Sequence, residues 1–352
     1  MAAEVSTATF PLLGRVRGLG PAAVLGLLLV AMLLWWIGEN FARFPSDSTQ
    51  VLLIGLTTGA IYALVALGYT LVYGILELIN FAHGDVFMLG GMISATFAVE
   101  VFGLGTGGGA AKWLLVVATL LIAMGFCGLI NTTVELIAYR PLRGAPRLVP
   151  LITAIGMSFI LQNVGLAWKG PNFISIPNIL PHSNVFSIGG VTYTWNKLIV
   201  VLVTVPVLVG LVYLVQNTRQ GKAMRATAQD KDAAAMMGIN VNRTISFTFL
   251  IAGSLAGAAG LLYALYVTNV RYDQGFQLGL IAFTAAVFGG IGNLPGAVLG
   301  ALCIGLIQAF NEGFNWHAPG SDWTQSIVFA VLILILVFRP EGLLGERTPE
   351  GA

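Results

Sequence analysis

The chain has 352 residues, of which 57% are hydrophobic and only 9% charged, with a formal net charge of +2 and a mean hydropathy of +0.87. So much apolar surface cannot be hidden in a water-soluble fold, which excludes a soluble enzyme or binding module and leaves a polytopic membrane protein. The near-neutral balance gives nucleic acid no basic surface to bind.

Apolar stretches of roughly 20 residues suffice for a hydrocarbon core of ~30 Å. They predict spans at 21–38, 51–75, 85–103, 113–137, 149–168, 198–216, 245–267, 296–312 and 323–338, with a shorter tenth stretch at 277–291. The expected fold is therefore all-α and polytopic, with about 8–10 transmembrane helices, some short or broken. The first span follows Arg15 and Arg17 and resembles a signal anchor. No small-x-small cleavage site precedes Glu39, so it is kept as a span. Three parts are expected: 1–48 as an N-terminal tail with the first span, 49–344 as the main membrane domain, and 345–352 as a cytoplasmic tail.

Most of the 44 glycines fall inside apolar segments. The pairs Gly55/Gly59, Gly253/Gly257 and Gly296/Gly300 each form GxxxG, a spacing that brings helix backbones together. Tight packing without a chemical role explains them. Gly103, Gly105 and Gly108 satisfy GxGxxG only by spacing, because they lie between two spans and not between a strand and a helix.

Between the second and third spans runs Glu77-Leu-Ile-Asn-Phe-Ala-His-Gly-Asp85. Carboxylates and an imidazole at membrane depth usually face protein or a water-filled path. Gly84 and its polar neighbours suggest a helix break, which hydrocarbon tolerates only where protein or a cavity surrounds it. A pathway lining and a plain cytoplasmic turn capped by Asp85 both remain open. Cys127 and Cys303 sit inside spans as packing residues, and no Cys/His cluster suggests a metal.

The longest non-cytoplasmic loop is 169–197. Val185–Trp195 alternates apolar and polar around Gly189-Gly190, which predicts a hairpin. Docking of a soluble partner and capping of the external mouth are equally open for it.

A polar island follows at 217–243, with Arg219, Lys222, Arg225, Lys231 and Arg243. The positive-inside rule puts it in the cytoplasm. Strong helix formers from Met224 to Met237 predict one helix that stops at Gly238. Its Asp232-Ala233-Ala234 then three residues then Gly238 gives a face without bulk. Around that face Arg225, Asp230, Lys231 and Asp232 can pair with a partner's charges; a solvated loop helix is the plainer alternative. If 277–291 crosses, ten passes place 12 basic residues inside against five outside (Arg43, Lys112, Lys169, Lys197, Arg271). If it is only a tilted element, the C-terminus changes side.

Four stretches carry a resemblance: Gly55–Gly74 (GLTTGAIYALVALGYTLVYG), Ile79-Asn-Phe-Ala-His-Gly-Asp85, Arg225-Ala226 through Gly238-Ile239-Asn240, and Ala286–Gly296 (AVFGGIGNLPG). With these the chain, from about Thr49 to Leu344, resembles the membrane subunit of ATP-binding-cassette importers for branched-chain amino acids. Cousins of that family handle urea or short amides. The resemblance implies that 217–243 is a cytoplasmic coupling helix and that Asp232-Ala233-Ala234-x-x-x-Gly238 stands for the importer EAA loop. Asp replaces the usual Glu, and the Ile-x-Leu-Pro tail is missing. It implies two cytoplasmic ATPase subunits carrying ATP and Mg, an external substrate-binding protein, and a second, unlike permease in a lipid-embedded complex of a bacterial cytoplasmic membrane. This chain would bind no cofactor and catalyse nothing. No GxxxxGK[ST] loop occurs, since Gly221-Lys222 is followed by Ala223. Tyr62, Tyr69, Asn80, His83, Asp85 and Asn163 are the candidate pathway residues. An ATP-independent channel or ion-coupled carrier using Glu77, His83 and Asp85 is the rival from another class. An intramembrane enzyme lacks its constellation, with His83, His182 and His317 scattered on separate loops.

Overall fold

The computed structural model describes residues 21–104, 110–146, 148–180, 183–339 and 341–345. Arg15, Arg17, Gly105, Gly108, Arg147, His182, Arg347 and nearly all of the expected 345–352 tail lie outside the described residues.

Helix α1 (Pro21–Arg43) is followed almost at once by the long α2 (Pro45–Leu76). After a turn at 77–82 come α3 (His83–Ala95), continued by π turns at Thr96–Val101, and α4 (Ala110–Val134), continued by π turns at Glu135–Tyr139. Next are α5 (Leu148–Lys169), strands β1 (Ile174–Ser175), β2 (Asn184–Ile188) and β3 (Val191–Thr194), and α6 (Trp195–Asn217). Two short helices, α7 (Arg219–Gln229) and α8 (Lys231–Met236), precede α9 (Val241–Val267). The chain continues with β4 (Asn269–Val270), α10 (Gln274–Gly289), α11 (Leu294–Gly313) and α12 (Thr324–Phe338). Among the described residues, eight helices are long and apolar enough to cross a membrane. The architecture is that of an all-α polytopic membrane protein.

Six helices form the centre, held by glycines that let backbones touch. A methyl added at Gly257 would lie 2.3 Å from the Ala123 carbonyl oxygen, and one at Gly253 would lie 2.4 Å from that of Cys127, so α9 rests on α4. The same construction joins α9 to α3 (Gly260 to Phe87 O, 2.5 Å) and α3 to α10 (Gly84 to Gly275 O, 2.4 Å). It joins α10 to α11 (Gly300 to Ala285 O, 2.2 Å; Gly296 to Gly289 O, 2.4 Å) and α11 to α2 (Gly59 to Leu302 Cα, 2.8 Å; Gly55 to Leu306 Cα, 3.0 Å). Apolar burial drives no association inside lipid, so this close van der Waals contact takes its place. The outer helices show the opposite pattern. Leu202, Val205 and Val209 on α6, Phe159 and Ile160 on α5, and Ile333 and Val337 on α12 are all exposed. Those faces suit hydrocarbon and not water.

The bundle has two ends. At one, Asn315 Nδ2 donates to Asp47 Oδ2 at 2.6 Å, Trp316 N–H donates to Asn40 Oδ1 at 3.0 Å, and β1 pairs with β4. At the other, Arg143 donates to Asn242, and the Leu343 and Leu344 amides donate to the Phe288 and Gly289 carbonyls at 2.9 and 3.0 Å. Helix α10 runs from the first end, beside β4, to the second. Its 16 residues span only about 24 Å. The short 277–291 stretch is therefore a continuous helix of the bundle, its first turns packed through Gly275 and Gly279 on Gly84 at the start of α3.

The hairpin forms as its Gly-Gly predicts: β2 and β3 are antiparallel, and Gly189 and Gly190 have φ of +59° and +86°. It lies over the outer start of α2, where Tyr193 and Thr57 hydroxyls are 3.1 Å apart and the Thr192 amide donates to Gln50 Oε1 at 2.9 Å.

Candidate functional site

The polar island is two helices, not the single one expected over Met224–Met237. Asp230 takes an extended conformation (φ −154°, ψ 114°), and its carboxylate accepts from the amides of Asp232 and Ala233 at 2.8 and 2.9 Å. An aspartate with free backbone donors two and three residues ahead prefers this N-cap to continuing a helix. Gly238 then ends α8 with φ +82°, where the Ile239 amide reaches the Ala234 carbonyl at 3.1 Å.

Residues on these helices divide by direction. Arg225 donates to the Val215 carbonyl at the end of α6, so it fastens α7 to the bundle. Gly221 allows the tight α6–α7 turn, since a methyl there would lie 2.3 Å from the Leu214 and Val215 oxygens. Ala234 is buried and Ala233 half-buried, whereas Asp230 and Asp232 are exposed. Met236 and Met237 are 82% and 84% exposed, more than any other large apolar side chain among the described residues. The expected docking face omitted them, although two adjacent methionines in a polar segment were a visible signal.

Beside this segment lies a cavity of about 530 Å³, open at the same end of the bundle. Thr70, Gly74 and Ile75 of α2, Gln216, Arg225, and Ile291 to Pro295 of the α10–α11 turn line it. Above it, every residue of α2 from Gly59 to Val72 is buried. That stretch is a zone closed by packed side chains.

Around this closed zone the candidate residues are distributed unevenly. His83 and Asp85 are fully buried in the first turn of α3, and Asn80 is buried just before them. The break is thus exposed at Glu77 and enclosed by protein from Ala82 to Asp85. Asp85 Oδ2 accepts from Ser158 Oγ of α5, whose hydroxyl also receives Gln162 Nε2 at 3.3 Å, while Oδ1 has no hydrogen-bond partner. His83 packs edge-on against Tyr69, ring centroids 4.8 Å apart. Tyr62 lies farther toward the hairpin end, where its hydroxyl donates to Gln308 Oε1 at 2.7 Å. Gln308 Nε2 in turn donates to Glu312 Oε1 at 3.0 Å, extending a polar chain that the candidate residues did not include. Asn163 is apart from all of these: it is exposed on α5, and its Nδ2 donates to the Phe159 carbonyl at 2.8 Å.

At the α7–α8 end Glu135 is fully buried, ion-paired with Arg143 and bonded by Ser246 Oγ at 2.6 Å. Burial lowers the Arg143 pKa from its ordinary value, and Glu135 opposes that shift. No group of three or more His, Cys, Asp or Glu able to hold a metal occurs among the described residues.

Residues 51–337 match the family model described as branched-chain amino acid transport system / permease component. The chain is 40% identical to the high-affinity branched-chain amino acid transport system permease protein BraD of Pseudomonas aeruginosa, over 86% of this chain and 97% of that one. It is 37% identical to the permease protein LivH of the corresponding Escherichia coli system, over 89% and 99%. A probable branched-chain amino acid permease of Methanocaldococcus jannaschii is 26% identical over 80% and 88%. With its bundle of membrane-length helices, its protruding helix pair and these matches, the chain belongs to the family of branched-chain amino acid transport permease components.

Proposed function

We propose that the chain is the translocation subunit of an ATP-binding-cassette importer that carries branched-chain amino acids inward across a cytoplasmic membrane. The observation that carries this reading is the α7–α8 pair. It projects from one end of the bundle with Met236 and Met237 bare, in a chain that has no nucleotide-binding loop of its own. Two ATPase subunits, holding ATP and Mg, would each receive such a pair in an apolar groove.

Sidedness follows from charge. Arg140, Arg143, Arg219, Lys222, Arg225, Lys231, Arg243 and Arg339 lie at the α7–α8 end, against Arg43, Lys112, Lys169, Lys197 and Arg271 at the hairpin end. Eight against five among the described residues favours a cytoplasmic α7–α8 end, and with ten passes both termini fall on that side. The hairpin then caps the external mouth, where a loaded binding protein would deliver substrate.

Closure of the ATPase dimer would push α7 and α8 as a handle. Arg225 and the tight Gly221 turn pass the push to α6, and the short 239–240 link passes it to α9. The buried stretch of α2 separates the hairpin end from the inner cavity, and shifting the helices around it would exchange access between them. Asp232, Ala233, Ala234 and Gly238 belong to the docking element. Tyr69, Asn80, His83 and Asp85 line the break next to the barrier. An unlike second permease is the expected companion.

Co-purification of the tagged chain from its native membrane, followed by uptake in proteoliposomes, tests this. Recovery of ATPase subunits with ATP-dependent accumulation of leucine, isoleucine or valine is expected. Uptake by the chain alone, driven by an ion gradient and indifferent to ATP, would establish the carrier reading instead.

A further inference from the structure

Two polar bridges leave the first three turns of α9, directly after the α7–α8 segment: one, exposed at Asn242 and buried at Glu135, ends on the 135–143 segment, and the other, buried throughout, ends on α4 and the 77–82 turn. In the first, Arg143 Nη1 donates to Asn242 Oδ1 at 2.6 Å and its Nη2 pairs with Glu135, which also accepts from Ser246 Oγ at 2.6 Å. In the second, Tyr139 Oη donates to Asn80 Oδ1 at 2.9 Å and Asn80 Nδ2 donates to Asn131 Oδ1 at 3.3 Å. Asn131 Nδ2 then donates to the Phe249 carbonyl of α9 at 2.7 Å. Glu135, Asn131, Asn80 and Tyr139 are all at most 2% exposed.

These groups are costly to bury, and apolar residues of similar volume would fill the space at least as stably. What they supply is a fixed register between three separate pieces of chain. The π turns at 135–139 widen the end of α4, and both Glu135 and Tyr139 face inward from them. Above them the Gly253 and Gly257 contacts hold α4 to α9 along their length. On the other side the 77–82 turn meets α2 at Glu77, whose φ of +55° makes a sharp corner. The turn is thus fastened to α9 and α4 by specific bonds, while its backbone leaves α2 at a bent residue and His83 after it packs against Gly68 and Tyr69 of α2.

We propose that Glu135, Arg143, Tyr139 and Asn131 are positioning residues that make the 77–82 turn, and with it Asn80 and the start of α3, follow α9 when α7–α8 is displaced. The bridges are the route by which the ATPase stroke reaches the barrier beside α2. This rests on the reading of the chain as an ATP-driven permease.

The test uses the complete complex in proteoliposomes and measures ATP hydrolysed per amino acid accumulated. Tyr139→Phe removes one hydroxyl and keeps the ring; Arg143→Ala removes the ion pair, and Arg143→Lys restores its charge. Both Tyr139→Phe and Arg143→Ala should raise the ratio by about threefold to tenfold, the scale on which conformational couplings operate. Arg143→Lys should return most of the way to the wild-type ratio. An unchanged ratio in Tyr139→Phe together with Arg143→Ala overturns the proposal while leaving the permease intact. If Arg143→Ala fails to assemble, Tyr139→Phe decides alone. If the wild-type complex shows no ATP-dependent uptake, it is the permease reading itself that falls.

Discussion

Gly68 leaves the space that the His83 imidazole occupies: a methyl at Gly68 would lie 2.2 Å from His83 Nε2 and 2.5 Å from Cε1. Both residues are buried, and Tyr69 packs edge-on against the ring. Gly68→Ala should therefore overpack the site and cost about 1–3 kcal/mol. The double variant Gly68→Ala/His83→Ala should recover most of that loss. Thermal unfolding of the detergent-purified complex measures both, and a Gly68→Ala protein that melts like wild type would show that the ring finds another place.

Met236 and Met237 are the most exposed large apolar side chains among the described residues, and the proposed docking makes them its apolar anchors. Met236→Glu and Met237→Glu leave the bundle untouched, because both side chains already face outward. Each should weaken ATPase attachment by about 2 kcal/mol or more, as expected for a central apolar contact. Recovery of ATPase subunits with the tagged permease should fall more than about tenfold at limiting concentration. Equal recovery from both variants would move the docking face to the charged side of α8.

Asp230 holds α8 by its N-cap. Asp230→Ala should cost about 1 kcal/mol of local helix stability, and Asp230→Asn only a fraction of that. Hydrogen exchange at the amides of 231–237 reads the difference directly. If the alanine variant exchanges no faster, the helix is set by its neighbours and not by its cap.

Asp85 gives a sharper separation between stability and transport. Its carboxylate is fully buried, bonded by Ser158 on one oxygen only. Asp85→Leu removes a buried carboxyl group with little change of shape and should leave the protein as stable as wild type or more so. Uptake should nevertheless drop, because intramembrane carboxylates are kept for work along the path. A stable variant with full uptake would reduce Asp85 to a structural acid.

Much of this molecule is legible in the order of its residues. Spans, hairpin, glycine contacts and the stop at Gly238 follow from local rules about hydropathy, turn chemistry and backbone room. The break at Asp230 was equally local, yet the run of helix formers around it concealed that a carboxylate two residues before Asp232 competes for the helix start. The bridges could not be read. Glu135 and Arg143 are eight residues apart, but Ser246 and Asn242 come from a helix about a hundred positions later, and no pattern within α4 announces a partner at that distance. Asn163 shows the converse difficulty, since a polar residue in an apolar span was placed on the path when its own helix backbone satisfies it.

A close seam of the bundle joins α2 to α11, where a methyl at Gly305 would sit 2.5 Å from Gly59 Cα. These residues are far apart in the chain, so α2 enters the bilayer long before its partner is made. During that interval its glycine groove and the Thr57, Thr58 and Tyr62 side chains face lipid or a helper protein. Assembly of the core must therefore be a late search among already inserted helices, with α3, α9 and α11 docking onto a waiting α2. Mutations along the Gly59–Gly305 seam should then show themselves first as slow maturation and degradation of the newborn chain, before any defect in the finished transporter.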